Sequence, residues 1–111
     1  MTDPATKIFI ERYTKLFGKT PQTISIDGYI KAEVVLKALE ALHGEVKDSD
    51  TFAAAIKKVQ FPMPGGGTFR FDENNNPIVN IILVQWEWKD GKANPKVLDQ
   101  ATDVRQVFLS K

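Results

Sequence analysis

Apolar residues recur along this chain in three helical stretches and then switch to a two-residue alternation. Phe9, Tyr13, Leu16 and Phe17 fall at helical spacing, with Ile10 at the edge of the stripe. That pattern predicts an amphipathic helix over about residues 4–17. Thr2 or Asp3 followed by Pro4 opens it: a side-chain acceptor at the N-cap, then a proline whose missing N–H costs nothing at the first helical position. Lys15 and Lys19 favour the negative pole at its end, and Gly18 can take the left-handed conformation that stops it.

A connector follows. Pro21 pushes Thr20 out of the helical region, and Ile24 and Ile26 alternate with Ser25, so residues 20–27 read as extended with a short strand. The next helix is expected from Gly28 or Tyr29 to His43, with Asp27 as N-cap and Gly44 as the residue that closes it. Val35, Leu39 and Leu42 share a face of it, with Ala32, Leu36 and Ala38 beside them. Asp48 or Ser49 opens a third helix whose inward residues are Phe52, Ala55, Ile56 and Val59. It ends before Phe61, because Pro62 and Pro64 cannot continue it.

The period then becomes two. Gly65, Gly66 and Gly67 make a flexible hinge or turn, and Thr68, Phe69, Arg70 and Phe71 alternate as a strand with one apolar face. Residues 72–77 read Asp-Glu-Asn-Asn-Asn-Pro, a turn built of side chains that bond their own backbone or tolerate left-handed angles. Residues 78–88 give the clearest strand. Ile78, Ile82, Val84, Trp86 and Trp88 point one way and Val79, Ile81 and Leu83 the other, so its first half is expected to be buried on both faces and its second half on one. Asp90-Gly91 suits a tight hairpin turn. Beyond Pro95, Val97, Leu98, Val104, Val107 and Phe108 are apolar enough to pack, and a final helix is expected from about Ala101.

Composition narrows the function classes. At 111 residues, 42% hydrophobic and 26% charged, the chain has the make-up of one ordinary globular unit. Fifteen Lys and Arg oppose fourteen Asp and Glu, so there is no electrostatic footprint for nucleic acid or an anionic membrane. Cysteine is absent, which excludes disulfides, zinc–thiolate sites and thiol catalysis. Met1-Thr2-Asp3-Pro4 carries no apolar segment and no cleavage site, so no signal peptide is expected in this chain.

Several motifs invite a chemical reading, and each has a plainer one. Gly65-Gly66-Gly67-Thr68 resembles a phosphate loop, but the Lys before the Thr and the following helix are missing. Asp72, Asn74 and Asn76 have calcium-loop spacing, but Pro77 and Leu83 stand where Gly and Glu are needed, so a solvated turn is favoured. Trp86 and Trp88 share one strand face and could stack on a ring; covering a core edge or an interface is the favoured role. His43 reads as a surface cation in the last turn of the second helix, and Glu33 with Lys37 as an ordinary i,i+4 pair.

Taken in order, residues 9–88 resemble a known family. Phe9-Ile-Glu-Arg-Tyr13 and Leu16-Phe17-Gly18-Lys19-Thr-Pro21 are similar to the first helix of the C-terminal part of the branched-chain amino-acid binding proteins of ABC transporters. Gly28-Tyr29-Ile30-Lys31-Ala32 with Leu36, Ala38 and Leu39 resembles their next helix, and Asp50-Thr-Phe-Ala-Ala-Ala-Ile56 the one after it. Gly67-Thr-Phe-Arg-Phe-Asp72 matches their Gly-x-x-x-Phe-Asp segment, with Asn74, Asn75 and Asn76 standing where a Gly usually follows.

That resemblance implies an α/β chain: the C-terminal segment of a two-lobed type I periplasmic-binding-protein fold, here three helices, a β-hairpin and a final helix. Residues 1–111 are then one unit and part of a larger protein. It implies a non-enzymatic role without cofactor, in which an amino acid or related small acid is caught between two lobes and delivered to the membrane subunits of an ABC transporter, in the periplasm. The last crossing between lobes is placed near residues 71–83. The segment before the second helix sits at the cleft in this family, which makes Ile24 the candidate ligand contact, with Ser25 and Asp27 as neighbours.

The lobe sheets of this family come from earlier parts of the chain, so the helices here lose the surface they would cover, and a homo-oligomer is expected of the isolated chain. Read from the residues alone, a self-standing α+β domain that oligomerises through its helix faces and its Trp86/Trp88 strand, without ligand, remains the alternative. A hydrolase or lyase is disfavoured, because no Ser-His-Asp set, metal cluster or carboxylate pair is present.

Overall fold

The computed structural model describes residues 3–106. Its order is α1 (Pro4–Phe17), α2 (Thr23–Ala41), α3 (Ser49–Lys57), β1 (Phe61–Pro62), β2 (Thr68–Phe71), β3 (Pro77–Lys89) and β4 (Lys92–Val104). The strands form one antiparallel sheet in the order β1-β2-β3-β4.

α1 forms where the pattern places it. Asp3 caps it, its Oδ1 accepting the Thr6 N–H at 2.9 Å, and Gly18 ends it at φ 67° with its N–H on Thr14 O at 2.8 Å. Thr6 itself is 1% exposed. Its hydroxyl donates to Asp3 Oδ2 at 2.6 Å and accepts the Gly65 N–H at 2.7 Å. One side chain thereby ties the helix cap to the glycine turn. Thr6→Val keeps the shape but leaves the Gly65 amide without its acceptor. It is expected to lower stability by about 1–3 kcal/mol, whereas Thr6→Ser should stay near the parent in urea unfolding.

α2 departs from the expectation at both ends. The extended connector is confined to residues 20–22, with Gln22 in extended backbone, and no strand forms: the helix begins at Thr23 and takes in Ile24, Ser25, Ile26 and Asp27. The reason is local and tertiary. The Gln22 N–H donates to Ser25 Oγ at 3.3 Å, and Tyr29 packs on Phe9 in a tilted ring contact with centroids 4.9 Å apart. Asp27 is therefore no N-cap; it lies inside the helix and pairs with Lys31 at 2.6 Å. At the other end the helix stops at Ala41, and His43 sits beyond it in a turn at φ 53°, followed by Gly44 at φ 77°. The anticipated Glu33–Lys37 pair is replaced by Lys37 with Glu40 at 3.2 Å.

The core is one cluster of Val34, Ala38, Val59, Phe61, Met63 and Phe69, with Ile30, Phe52, Ala55, Ile56, Phe71 and Val79 packed against it. All four predicted inward residues of the third helix belong here. Asp48 caps that helix, and the Thr51 N–H, 2.7 Å from its Oδ1, holds the carboxyl below its usual range. On α2 the buried stripe is Val34 and Ala38; Val35 and Leu36 lie half open to solvent. On α1 Phe9 is buried, but Leu16 and Phe17 are exposed.

The three glycines make a defined turn rather than a loose hinge. All have positive φ, Gly66 N–H bonds Met63 O, and Met63 N–H bonds Gly67 O. Phe61 of β1 and Phe69 of β2 face each other across the ladder and stack, 5.1 Å between centroids. The turn after β2 is held by Asp72, whose Oδ1 accepts the N–H groups of both Asn74 and Asn76.

β3 pairs with β2 only at Ile78 and Pro77, and with β4 from Val79 to Lys89. Two expectations fail here. No helix starts at Ala101: residues 92–104 are strand, because the Asp90-Gly91 turn, with φ 52° and 73°, folds them back along β3 and the ladder satisfies their backbone. Nor is the first half of β3 buried on both faces. Ile78 is buried, but Ile81 and Leu83 are more than half exposed, because no layer covers this part of the hairpin among the described residues. Trp86 and Trp88 are exposed as well and cover no core edge. Val97 and Leu98 are also exposed; Val107 and Phe108 lie outside the described residues.

Candidate ligand cleft

A cleft of about 660 Å³ separates the helices from the hairpin. Its walls are Phe9 and Ile10 of α1, Ile24 and Ile26 of the first turns of α2, and Trp86 and Pro95 of the hairpin. The volume and the largely apolar lining suit a small organic ligand. Polar atoms enter from Thr20, Gln22 and Thr23, where the chain turns into α2. Early amides of a helix lack intrahelical acceptors, so this end presents N–H groups rather than carbonyls.

The three candidate residues share one helix start but not one cavity. Ile24, 75% exposed, faces the cleft. Ser25 turns to the other side, where its hydroxyl donates to the Tyr13 hydroxyl at 3.4 Å, joining α2 to α1. Asp27 lies one turn on, at the rim of a separate apolar cavity of about 320 Å³ lined by Ile30, Val34, Met63, Phe69 and Phe71. The sequence marks Trp86 as able to stack on a ring but favours a core edge or an interface for it, and does not place Pro95 beside it: both reach the cleft only because β4 pairs with β3, where Trp86 sits opposite Pro95.

The remaining polar groups build turns and grooves. Among the described residues no three His, Asp or Glu side chains gather into a cation site. The Asp72 carboxylate is spent on backbone amides, and two glycine-turn amides are spent on Thr6 and Met63, which leaves no phosphate nest there. In the groove between α1 and α2, burial pushes the Tyr29 phenol up and the neighbouring Glu33 carboxylate adds to the rise, while Arg12 opposes it. No helix among the described residues is long and apolar enough to cross a membrane.

Comparison with known proteins accounts for this architecture. The family model described as "Periplasmic binding protein" matches residues 1–93. The Leu/Ile/Val-binding protein homolog 7 of Brucella abortus is 36% identical over 98 residues, covering 80% of this chain and 23% of the relative. An ABC transporter substrate-binding protein from Sphaerobacter thermophilus superposes with a TM-score of 0.84 at 33% identity, over 93% of this chain and 28% of that one. A solute-binding protein of an ABC transporter from Rhodopseudomonas palustris BisB5, solved with 3,4-dihydroxybenzoic acid, gives 0.81 at 26% identity, over 94% and 28%. The chain thus spans about a quarter of the length of the curated relatives it matches. Its three helices and antiparallel sheet are a segment of the type I periplasmic-binding-protein fold, and the chain belongs to the periplasmic binding protein family.

Proposed function

We propose that this chain is part of an extracytoplasmic solute-binding protein that delivers an amino acid or a related small acid to the membrane subunits of an ABC transporter, with no enzymatic role. The observation that carries the reading is the cleft between the start of α2 and the hairpin, found in a chain of this family. The relatives widen the ligand class on either side. One is named for leucine, isoleucine and valine, and one was solved with an aromatic acid. All these ligands pair an apolar body with a carboxylate, and an apolar cleft with a few polar atoms suits that chemistry. In this reading Ile24 contacts the apolar body, Ser25 fixes the helix start against Tyr13, and Asp27 with Lys31 forms the polar shoulder beyond it. The 111 residues act as one unit of the larger protein, in the periplasm. Isolated, the unit self-associates.

Calorimetry of the intact protein against leucine, isoleucine, valine and 3,4-dihydroxybenzoate tests the proposal. At least one is expected to bind with a micromolar or tighter constant, about −8 kcal/mol. The 111-residue chain alone should give no comparable heat, since it holds only part of the cleft. Ile24→Asp in the intact protein places a charge against the ligand's apolar body and should weaken binding at least about tenfold, 1.4 kcal/mol. An intact protein that binds none of the panel would contradict the ligand class. Unchanged affinity in the Ile24→Asp protein would remove Ile24 from the site.

A further inference from the structure

β3 serves two masters. At Pro77 and Ile78 it belongs to the helix-bearing body through β2; from Val79 onward it carries the hairpin through β4. Asn80 stands at the change. Its position is irregular, because the register passes from Val79 opposite Val104 to Ile81 opposite Ala101, so that Thr102 and Asp103 together face one residue. Such a bulge bends a strand pair and leaves a backbone group without its ladder partner. Here the Asp103 N–H finds Asn80 Oδ1 at 3.1 Å, with Asp103 held at φ 52°.

The other end of the Asn80 amide meets the body. Gly67, at φ 82°, lies so close that a methyl group there would stand 2.6 Å from Asn80 Nδ2. The glycine turn is in turn pinned to α1 through Gly65 and Thr6. A third tie crosses beside it: the Arg70 guanidinium of β2 bonds Asp103 Oδ1 of β4 at 3.0 Å, spanning the strand between them. The contacts of one half-buried amide therefore touch the glycine turn on one side and the bulge of the hairpin on the other. Valine or isoleucine, which fill the neighbouring positions of β3, could make neither the bond nor the close approach.

We propose that Asn80 is a positioning residue: by capping the bulge at Asp103 while packing on Gly67, it sets the angle between hairpin and helices, and with it the aperture between Ile24 and Trp86. The inference rests on the ligand-cleft reading only for its functional consequence. The joint itself is a statement about geometry and can be tested without ligand.

The chain has no cysteine, so Glu11→Cys on α1 and Lys92→Cys on the hairpin, both exposed, place spin labels at chosen sites. Pulsed dipolar spectroscopy on labelled chain diluted with excess unlabelled chain reads the distance within one molecule. The parent should give one narrow distribution. Asn80→Leu, similar in size but without an acceptor, should shift or widen it, while Asn80→Asp, which keeps the acceptor, should remain narrow. Asn80→Ala, which removes both the acceptor and the packing on Gly67, should widen the distribution as well, and it serves if Asn80→Leu does not fold. Parent-like distributions in the Leu and Ala variants would overturn the proposal, as would identical behaviour of the Leu and Asp variants. A widened distribution in a protein whose intact form binds no acid would uphold the joint and discard the ligand reading.

Discussion

Ala38→Asp is expected to abolish cooperative folding of this chain. Ala38 is wholly inaccessible, at 0% exposure, in the cluster where α2 lies on Val59, Phe61, Met63 and Phe69. A carboxylate there has no cation or donor from the core cluster to meet, so it must either stay charged in an apolar setting or take up a proton. Breaking a buried site with one uncompensated charge costs roughly 3–5 kcal/mol. The added bulk costs a further 1–3 kcal/mol or so in a packed core. A domain of this size is stable by about 5–15 kcal/mol at most, and this one has a small core, so little remains. Leu36→Asp two residues earlier is the control. Leu36 is 52% exposed, and its change should cost about 1–2 kcal/mol, well short of the Ala38 effect. Thermal melts followed by circular dichroism compare the two; a sharp, parent-like transition in Ala38→Asp would contradict the packing described.

The parts of this fold legible in the sequence are those decided by neighbours in the chain. α1 was bounded by Asp3-Pro4 at one end and Gly18 at the other, and both caps form as their chemistry dictates. The turn after β2 and the Asp90-Gly91 hairpin are equally local. The start of α2 was not legible because β-branched Ile24 and Ile26 alternate with Ser25 and follow a proline, which imitates a strand; the Gln22–Ser25 bond and the packing of Tyr29 on Phe9 override that preference. β4 was hidden for the opposite reason. Asn94, Pro95, Asp99 and Asp103 are poor strand formers, and only the register along β3 makes strand of them.

The candidate site divides in the same way. Ile24 was reached through resemblance of the segment around it to a known family, and it does line a cleft. Trp86 across that cleft could not be placed without knowing that β4 returns along β3. Periodicity also marked Ile81, Leu83, Leu16 and Phe17 as inward residues, yet they face solvent. An alternating or helical pattern states which side of an element is apolar; it does not state whether the surface meant to cover that side is among the same residues.

Those uncovered faces carry the last prediction, which concerns mass. A compact protein of 12.5 kDa should expose about 6,200 Å² and have a radius of gyration near 13 Å. This chain exposes 8504 Å² with a radius of gyration of 16.6 Å. The excess, roughly 2,300 Å², is the size of an obligate interface rather than of a passing contact. Large apolar side chains stand open on this surface: Trp88, Leu16 and Ile24 are each three-quarters exposed or more. Large contiguous apolar patches are seldom left open on a soluble monomer. Backbone edges add to the drive in one direction only. β3 lacks a partner on its β2 side beyond Ile78, whereas the outer edge of β4 is guarded by Lys92, Pro95, Lys96 and Asp99. The isolated chain is therefore expected to run as a dimer or larger, at least twice 12.5 kDa by light scattering after gel filtration. The emission of Trp86 and Trp88 should shift to the blue as concentration rises. A 12.5 kDa monomer at high micromolar concentration, with solvent-exposed tryptophan emission throughout, would show that these faces do not drive self-association.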